Sequence, residues 1–250
     1  QGLNEFHNIT IPWSMHPERD EEWKKSQIAN MGEVMFSQEH DVDFLTSGNT
    51  VFDQKILEQY KKEGLIVDPI QKTNFDNNLW IWKHPDYTKN YLVALDVARG
   101  DGSDFSSIQI LCIEDMEQVA EYKGKLPTDM LGNLAVQLSI MYNKALLIPE
   151  NNTFGWATIQ KIQELGYPNL YWSYRQLVYS NANNWGSEDK DKIPGINTNE
   201  KTRPLMITKL DEALRHKDLI FHSIRLFDEF TTFIYNERDG QPRASQGYYD

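Results

Sequence analysis

The sequence lacks several features that define large classes of protein. It contains one cysteine, Cys112, in 250 residues, so it can form neither an internal disulfide nor a cysteine-based zinc site. No apolar stretch approaches the roughly 20 residues that a membrane-spanning helix needs. The first ten residues lack the basic-then-apolar layout of a secretory signal. No GxxxxGK[ST] motif occurs in the chain, so the sequence shows no ATPase motif.

Basic residues are also scarce. The chain has 25 Lys and Arg against 37 Asp and Glu, which gives a formal net charge of −12. This balance argues against a generic nucleic-acid-binding protein, because such proteins gain affinity by neutralising phosphates. It does not exclude an enzyme that gathers carboxylates around metal ions and places its basic residues locally. The hydrophobic fraction of 40% is ample for a packed core.

The hydrophobic pattern changes at residue 91. Residues 1–90 are irregular and are typical of a linker or tail wrapped on the domain after it, with helices predicted near residues 18–31 and 35–45. From residue 91 onward, short apolar runs alternate with helical periodicity, which predicts a mixed α/β domain. The predicted elements are strands at 91–96, 106–113, 119–124, 145–150, 169–174 and 218–223, helices at 130–142, 156–165 and 202–216, a long polar loop at 180–199, and a helix or strand at 226–234.

Two of these apolar strands end in a carboxylate. Asp96 follows YLVAL and Glu150 follows ALLIP. If the two strands are parallel neighbours, both side chains lie at the same edge of the sheet, where α/β proteins bind ligands. Paired carboxylates repel each other unless a proton or a cation lies between them, and hard divalent cations prefer oxygen ligands. Asp104 begins the next strand, where it could join such a metal site or cap the turn.

Four segments together resemble the large terminase subunits of tailed bacteriophages, over about residues 91–250. They are ALDVARGDGSDFSSI (94–108), IPENNTFGWATIQKIQELGYPNLY (148–171), GINTNEKTRPLMITKLDEAL (195–214) and the final GYYD (247–250). Residues 1–90, with FSQEHDVDFLTSGNTVFD (36–53), look like the stretch that joins the ATPase domain of this family to its nuclease. The chain would then be the C-terminal piece of a longer protein.

The resemblance implies a ribonuclease-H-like fold, with a mixed central sheet flanked by helices, and a nuclease that cuts concatemeric double-stranded viral DNA with two Mg²⁺ or Mn²⁺ ions. Asp96 and Glu150 match the first two catalytic acids and metal ligands of the family, and Asp104 matches a further acidic position near the metals. The third acid belongs to a Gly-aromatic-aromatic-Asp-Asp pattern. Asp250 is either that ligand or the residue before it, and the helix that comes after it in the family is absent.

The same resemblance implies the partners. They are double-stranded DNA, a portal protein and the small terminase subunit, in the cytoplasm of an infected host cell and without a membrane or a place in the mature virion. Lys201 and Arg203 stand at the start of a predicted helix whose N-terminus favours anions, so they could bind a DNA phosphate. Arg99 and Arg243 could flank the duplex. All four could instead be solvated surface residues.

Two other functions remain open at this point. A resolvase-like or transposase-like nuclease, or a ribonuclease H, would keep the fold and change the substrate. A non-catalytic module that docks a motor onto a viral portal would make the carboxylates dispensable, so that Asp96→Asn would leave its function intact. Asn151 and Asn152, which come directly after Glu150, could orient that carboxylate or simply form a turn.

Overall fold

The computed structural model describes residues 13–31, 36, 50–74, 77–100, 102, 104–174, 192–236 and 240–244. The helix predicted over 35–45 lies almost entirely outside these residues, and so do Asp250 and most of the predicted loop at 180–199. The chain divides into two compact units, one formed by Gln1–Gln59 with Phe227–Asp250 and the other by Tyr60–Leu226. Within the described segments, every helix is too short or too polar to cross a membrane.

The smaller unit is built around aromatic side chains. Helix α1 (Glu21–Met31) confirms the helix predicted near residues 18–31, and the Asp20 carboxylate accepts the Trp23 N–H at 2.8 Å as its N-terminal cap. The ring of Trp23 lies 5.8 Å from that of Trp13. Helix α2 (Gln54–Lys62) begins in this unit. Strands β9 (Phe233–Tyr235) and β10 (Pro242–Ala244) pair antiparallel.

The larger unit contains a six-stranded sheet with the order β1-β2-β5-β4-β3-β6. Its strands are β1 (Gln71–Thr73), β2 (Leu79–Ile81), β3 (Tyr91–Asp96), β4 (Ser106–Cys112), β5 (Glu117–Gly124) and β6 (Leu146–Pro149). Neighbouring strands are antiparallel, apart from β3 and β6, which are parallel. The predicted meander of β3, β4 and β5 and the predicted strand at 145–150 are therefore confirmed.

One face of this sheet carries the core. Alternate residues such as Val93, Ile108 and Leu147 are fully buried, as the period of two in a strand requires. They pack against helices α3 (Thr128–Met141) and α4 (Gly155–Glu164), which also contact each other. The remaining helices are α5 (Thr202–His216) and α6 (Ile224–Thr232), and the remaining strands β7 (Trp172–Tyr174) and β8 (Lys192–Pro194) pair antiparallel.

The structure differs from the sequence prediction in three places. Strands β1 and β2 lie within residues 1–90, where no strand was predicted, and they extend the sheet through β5. The strand predicted over 218–223 is wrong, because Ile220 forms only a single bridge, with Glu117. The end of the predicted loop at 180–199 contains β8. Residues 226–234, left open as helix or strand, form most of α6 and the start of β9.

We predict that the core of the larger unit is sensitive to truncation at Leu131, the fourth residue of α3, which is 0% exposed. Leu131→Ala should lower the free energy of unfolding by about 2–5 kcal/mol, because it leaves a cavity. The matched control is Leu205→Ala, at the fourth residue of α5, where the side chain is 61% exposed. Urea unfolding of both variants measures the difference, and equal losses would contradict the packing described.

Candidate active site

The carboxylates of Asp96 and Glu150 lie side by side at one edge of the sheet. Leu95 of β3 pairs with Pro149 of β6 in parallel register, and the Glu150 N–H donates to the Leu95 carbonyl at 2.9 Å. Leu95 and Pro149 point into the core, so the residues directly after them point to the opposite face. The Glu150 side chain lies close enough to Asp96 to raise the pKa of that carboxyl group. The two strands are therefore parallel neighbours, which is the condition under which the sequence places both carboxylates together.

The surroundings of Asp96 raise the pKa of its carboxyl group. Asp96 is open to solvent on one side and crowded by protein on the other. This partial burial raises the pKa of Asp96 to about 7, together with the hydrogen bond to Glu150 and its negative charge. The Val97 N–H and the positive charge of Arg203 act in the opposite direction and lower the pKa. A carboxyl group with a raised pKa beside a second carboxylate is suited to hold a proton or a cation.

Residues 150–155, with the sequence Glu-Asn-Asn-Thr-Phe-Gly, have a structural explanation. The Asn152 side chain donates from Nδ2 to Glu150 Oε2 at 2.9 Å and accepts the Gly155 N–H on Oδ1 at 2.8 Å. One amide therefore orients the Glu150 carboxylate and caps the first residue of α4. Gly155 is required because a Cβ there would lie 1.8 Å from the Glu150 carbonyl oxygen. The N-terminus of α4 is thus pressed against the end of β6.

Residues 194–196 are held against the other side of the end of β6. The Ile196 N–H donates to the Pro149 carbonyl at 2.9 Å, and the Asn151 N–H donates to the Ile196 carbonyl at 2.8 Å. Gly195 has a φ of +81°, and a Cβ at this position would lie 2.4 Å from the Pro149 carbonyl oxygen. Only glycine fits both the conformation and the close approach. The segment therefore continues the sheet beside the carboxylates.

A series of asparagine side chains joins β6 to helix α5. The buried Asn151 donates to the Pro194 carbonyl at 3.0 Å and accepts from Asn197 at 3.2 Å. Asn197 in turn accepts from Asn199 at 2.9 Å. Because Asn151 is the residue after Glu150, these hydrogen bonds connect the carboxylate pair to the residues that precede α5. We call Asn151, Asn197 and Asn199 the asparagine series.

Asn199 caps the first turn of α5 and so positions Arg203. Its Oδ1 accepts the N–H of Lys201 at 2.9 Å and that of Thr202 at 3.1 Å. The Thr202 hydroxyl donates to the Asn197 carbonyl at 3.0 Å, which fixes the approach to the helix. The half-buried Arg203 then lies close enough to Asp96 for its charge to lower the pKa of that carboxyl. Residues 202–204, Thr-Arg-Pro, thus place the positively charged Arg203 side chain near the carboxylate pair.

The other predicted site residues are more dispersed. Among the described residues, no three His, Cys, Asp or Glu side chains form a group suited to a metal ion. Asp104 is exposed in the loop before β4. Arg99 and Lys201 are exposed. Arg243 is exposed on β10 in the smaller unit. Asp250 lies outside the described residues.

Sequence reasoning missed part of the site. Asn197, Asn199 and Gly195 fall in the predicted loop at 180–199, where asparagine and glycine indicated only turns. A signal was nevertheless present, because two asparagines two residues apart stand just before a predicted helix. Asparagine is a preferred N-terminal cap, so Asn199 was recognisable as the start of α5.

We predict that Gly155→Ala disrupts the end of β6. The added methyl group would collide with the Glu150 carbonyl, and the resulting strain should cost about 3 kcal/mol, the upper end for an overpacked site. Gly102→Ala is the control, because a Cβ at Gly102 has no heavy atom within 4 Å. Thermal unfolding of both variants tests this. An unchanged midpoint for Gly155→Ala would show that the close approach is absent in solution.

A second prediction concerns the cap of α5. Asn199→Ala removes the acceptor for two backbone N–H groups and should destabilise the protein by about 1 kcal/mol. Asn199→Asp keeps an acceptor at the same position and should lose less. Denaturant unfolding compares the two, and the hypothesis fails if alanine and aspartate are equally destabilising.

Comparison with known proteins identifies the fold. No protein-family model matches the chain. The large terminase nuclease of thermophilic phage G20c with bound magnesium aligns with 81% of this chain and 91% of its own, with a TM-score of 0.59 and 15% identity. The Thermus phage P74-26 large terminase nuclease domain aligns with 78% and 86%, with a TM-score of 0.55 and 15% identity. The chain therefore has the ribonuclease-H-like fold of the nuclease domains of phage large terminases.

Proposed function

We propose that this chain is a divalent-metal-dependent DNA endonuclease that cuts concatemeric double-stranded DNA during viral genome packaging. The observation that carries the proposal is the placement of Asp96 and Glu150 side by side, at the ends of parallel strands and on one face of the sheet. The fold is consistent with it, since the similar structures are nucleases. G20c nuclease structures contain magnesium, cobalt or zinc in three separate cases.

The donor groups suit hard divalent ions. Asp96 and Glu150 offer carboxylate oxygens, which Mg²⁺ and Mn²⁺ prefer, and their mutual repulsion would be relieved by a cation. We place a third ligand at Asp250, or at the acid that comes next in the family pattern. Two bound ions would supply an activated water and neutralise the charge that develops on the phosphodiester.

The surrounding residues would position the carboxylates and the DNA. The hydrogen bond from Asn152 restricts Glu150 to one orientation, so that less ordering is needed when a ligand binds. Arg203, whose positive charge lowers the pKa of Asp96, would hold a phosphate close to the carboxylate pair. Lys201 and Arg99, both exposed, would contact the backbone on either side. None of these contacts reads a base edge, so cutting should have little sequence preference.

The biological partners are inferred from the resemblance to terminases. We propose that the chain acts with a portal protein and a small terminase subunit, in the cytoplasm of the infected host cell. Such docking is compatible with cutting. Metal-dependent cleavage by this chain would therefore not argue against a portal interaction.

The proposal predicts metal-dependent cleavage of a supercoiled plasmid. With Mg²⁺ or Mn²⁺ the chain should cut. Asp96→Asn should reduce the rate at least about a hundredfold, because it removes a carboxylate that would hold the metal. A hundredfold loss corresponds to ~2.7 kcal/mol of transition-state stabilisation. The control is Asp129→Asn, which removes an exposed carboxylate from the first turn of α3 and should leave the rate unchanged.

The same assay should include a chain extended by a few dozen residues beyond Asp250. If only the extended chain cuts, the third ligand lies beyond Asp250. If Asp96→Asn cuts as fast as the parent chain, Asp96 is not a metal ligand for cleavage. If neither the parent chain nor the extended chain cuts DNA or binds divalent metal, the endonuclease proposal fails. A non-catalytic docking module then becomes the better account.

A further inference from the structure

A lysine lies in the same row of the sheet as Asp96. In the antiparallel pairing, Asp96 of β3 is opposite Ser107 of β4, and Ser107 is opposite Lys123 of β5. Residues directly opposite each other in adjacent strands point to the same face of the sheet. With strands about 4.7–4.9 Å apart, Lys123 stands ~10 Å from Asp96 on the face that carries the carboxylate pair.

Phe105 holds this lysine and a second one together. The Lys125 ammonium lies 4.7 Å from the centroid of the Phe105 ring, and the Lys123 ammonium lies 5.6 Å from it. Both distances are within the range of a cation–π interaction. The half-buried ring therefore offsets part of the repulsion between two ammonium groups that share one patch. We call Phe105, Lys123 and Lys125 the Phe105 patch.

Arg99 belongs to the same edge of the sheet. Gly100, with a φ of +89°, approaches the end of the β5 segment so closely that a Cβ would lie 2.6 Å from the Leu126 carbonyl oxygen. The loop that carries Arg99 is therefore fastened next to Lys125. Among the described residues of this loop and the end of β5, Arg99, Lys123 and Lys125 are basic, and Asp104, directly before Phe105, is an exposed carboxylate.

We propose that the Phe105 patch binds phosphates of duplex DNA a few nucleotides away from the phosphate that lies at the carboxylate pair. This inference rests on the proposed nuclease function and adds a contact surface to it. Phosphates on one strand of a duplex are spaced about 3.4 Å along the helix axis, so ~10 Å corresponds to about three nucleotides from the scissile phosphate. Lysine ammonium groups are point charges that bind phosphate without reading sequence. The patch would thus set the direction of the duplex across the sheet.

The test measures DNA binding separately from cleavage. Fluorescence anisotropy without divalent metal gives the affinity of the 250-residue chain for a short duplex at several salt concentrations. Lys123→Gln with Lys125→Gln should lower the affinity by about fivefold per lysine near 0.15 M salt, and should reduce the salt slope by about two in total. Replacing both lysines by arginine keeps the charges and should preserve the slope.

Lys144→Gln is the matched control. Lys144 is exposed just before β6, at the end of that strand opposite Glu150. Its affinity and salt slope should equal those of the parent chain. Circular dichroism checks that each variant is folded.

The outcomes separate this inference from the proposed function. If the parent chain cuts plasmid DNA and the double glutamine variant binds with an unchanged affinity and slope, the Phe105 patch is not a DNA contact and the nuclease proposal stands. If the double variant loses no more affinity than Lys144→Gln, the lysines act only through net charge, which also overturns the inference. If neither the parent chain nor the extended chain cuts plasmid DNA or binds duplex DNA, both proposals fail.

Discussion

The parallel pairing of β3 with β6 is the constraint on which the candidate site depends. A slip of one residue in this register would turn Glu150 into the core and Pro149 out to the opposite face, because side chains alternate along a strand. The buried Leu95, Leu147 and Pro149 make such a slip costly. The core therefore fixes the register, and the register places Asp96 beside Glu150. In this arrangement partial burial, together with the neighbouring Glu150 carboxylate, raises the pKa of Asp96.

Backbone contacts around the end of β6 hold the carboxylates in place. Gly155 brings α4 against the Glu150 carbonyl, and Gly195 brings residues 194–196 against the Pro149 carbonyl. The asparagine series then ties these residues to the first turn of α5. The two glycines and the asparagine series thus attach α4, residues 194–196 and the first turn of α5 to the end of β6. Rigid support of this kind is what a site needs when small displacements weaken catalysis.

The sequence predicts the elements that have a local apolar pattern and misses those that are defined by residues far away in the chain. Strands such as β3 and helices such as α3 were predictable, because their apolar period is local and long enough to recognise. Strand β1 consists of Gln71, Lys72 and Thr73 and has no such period, so only its pairing with β2 defines it. The carboxylates were predictable because each stands at the end of an apolar run. The asparagine series was not, because Asn197 gains its role from Asn151, 46 residues away.

The placement of basic residues explains how an acidic chain could bind a polyanion. At physiological ionic strength, exposed charges more than about 8 Å apart are largely screened. The net charge of −12 is therefore a poor guide to the potential at Asp96, which depends on nearby groups. Arg203 is close enough to lower the pKa of Asp96, whereas Lys123, at ~10 Å by strand spacing, is about one screening length away. Arg203 would thus act on the reacting phosphate, and the Phe105 patch on its neighbours along the backbone.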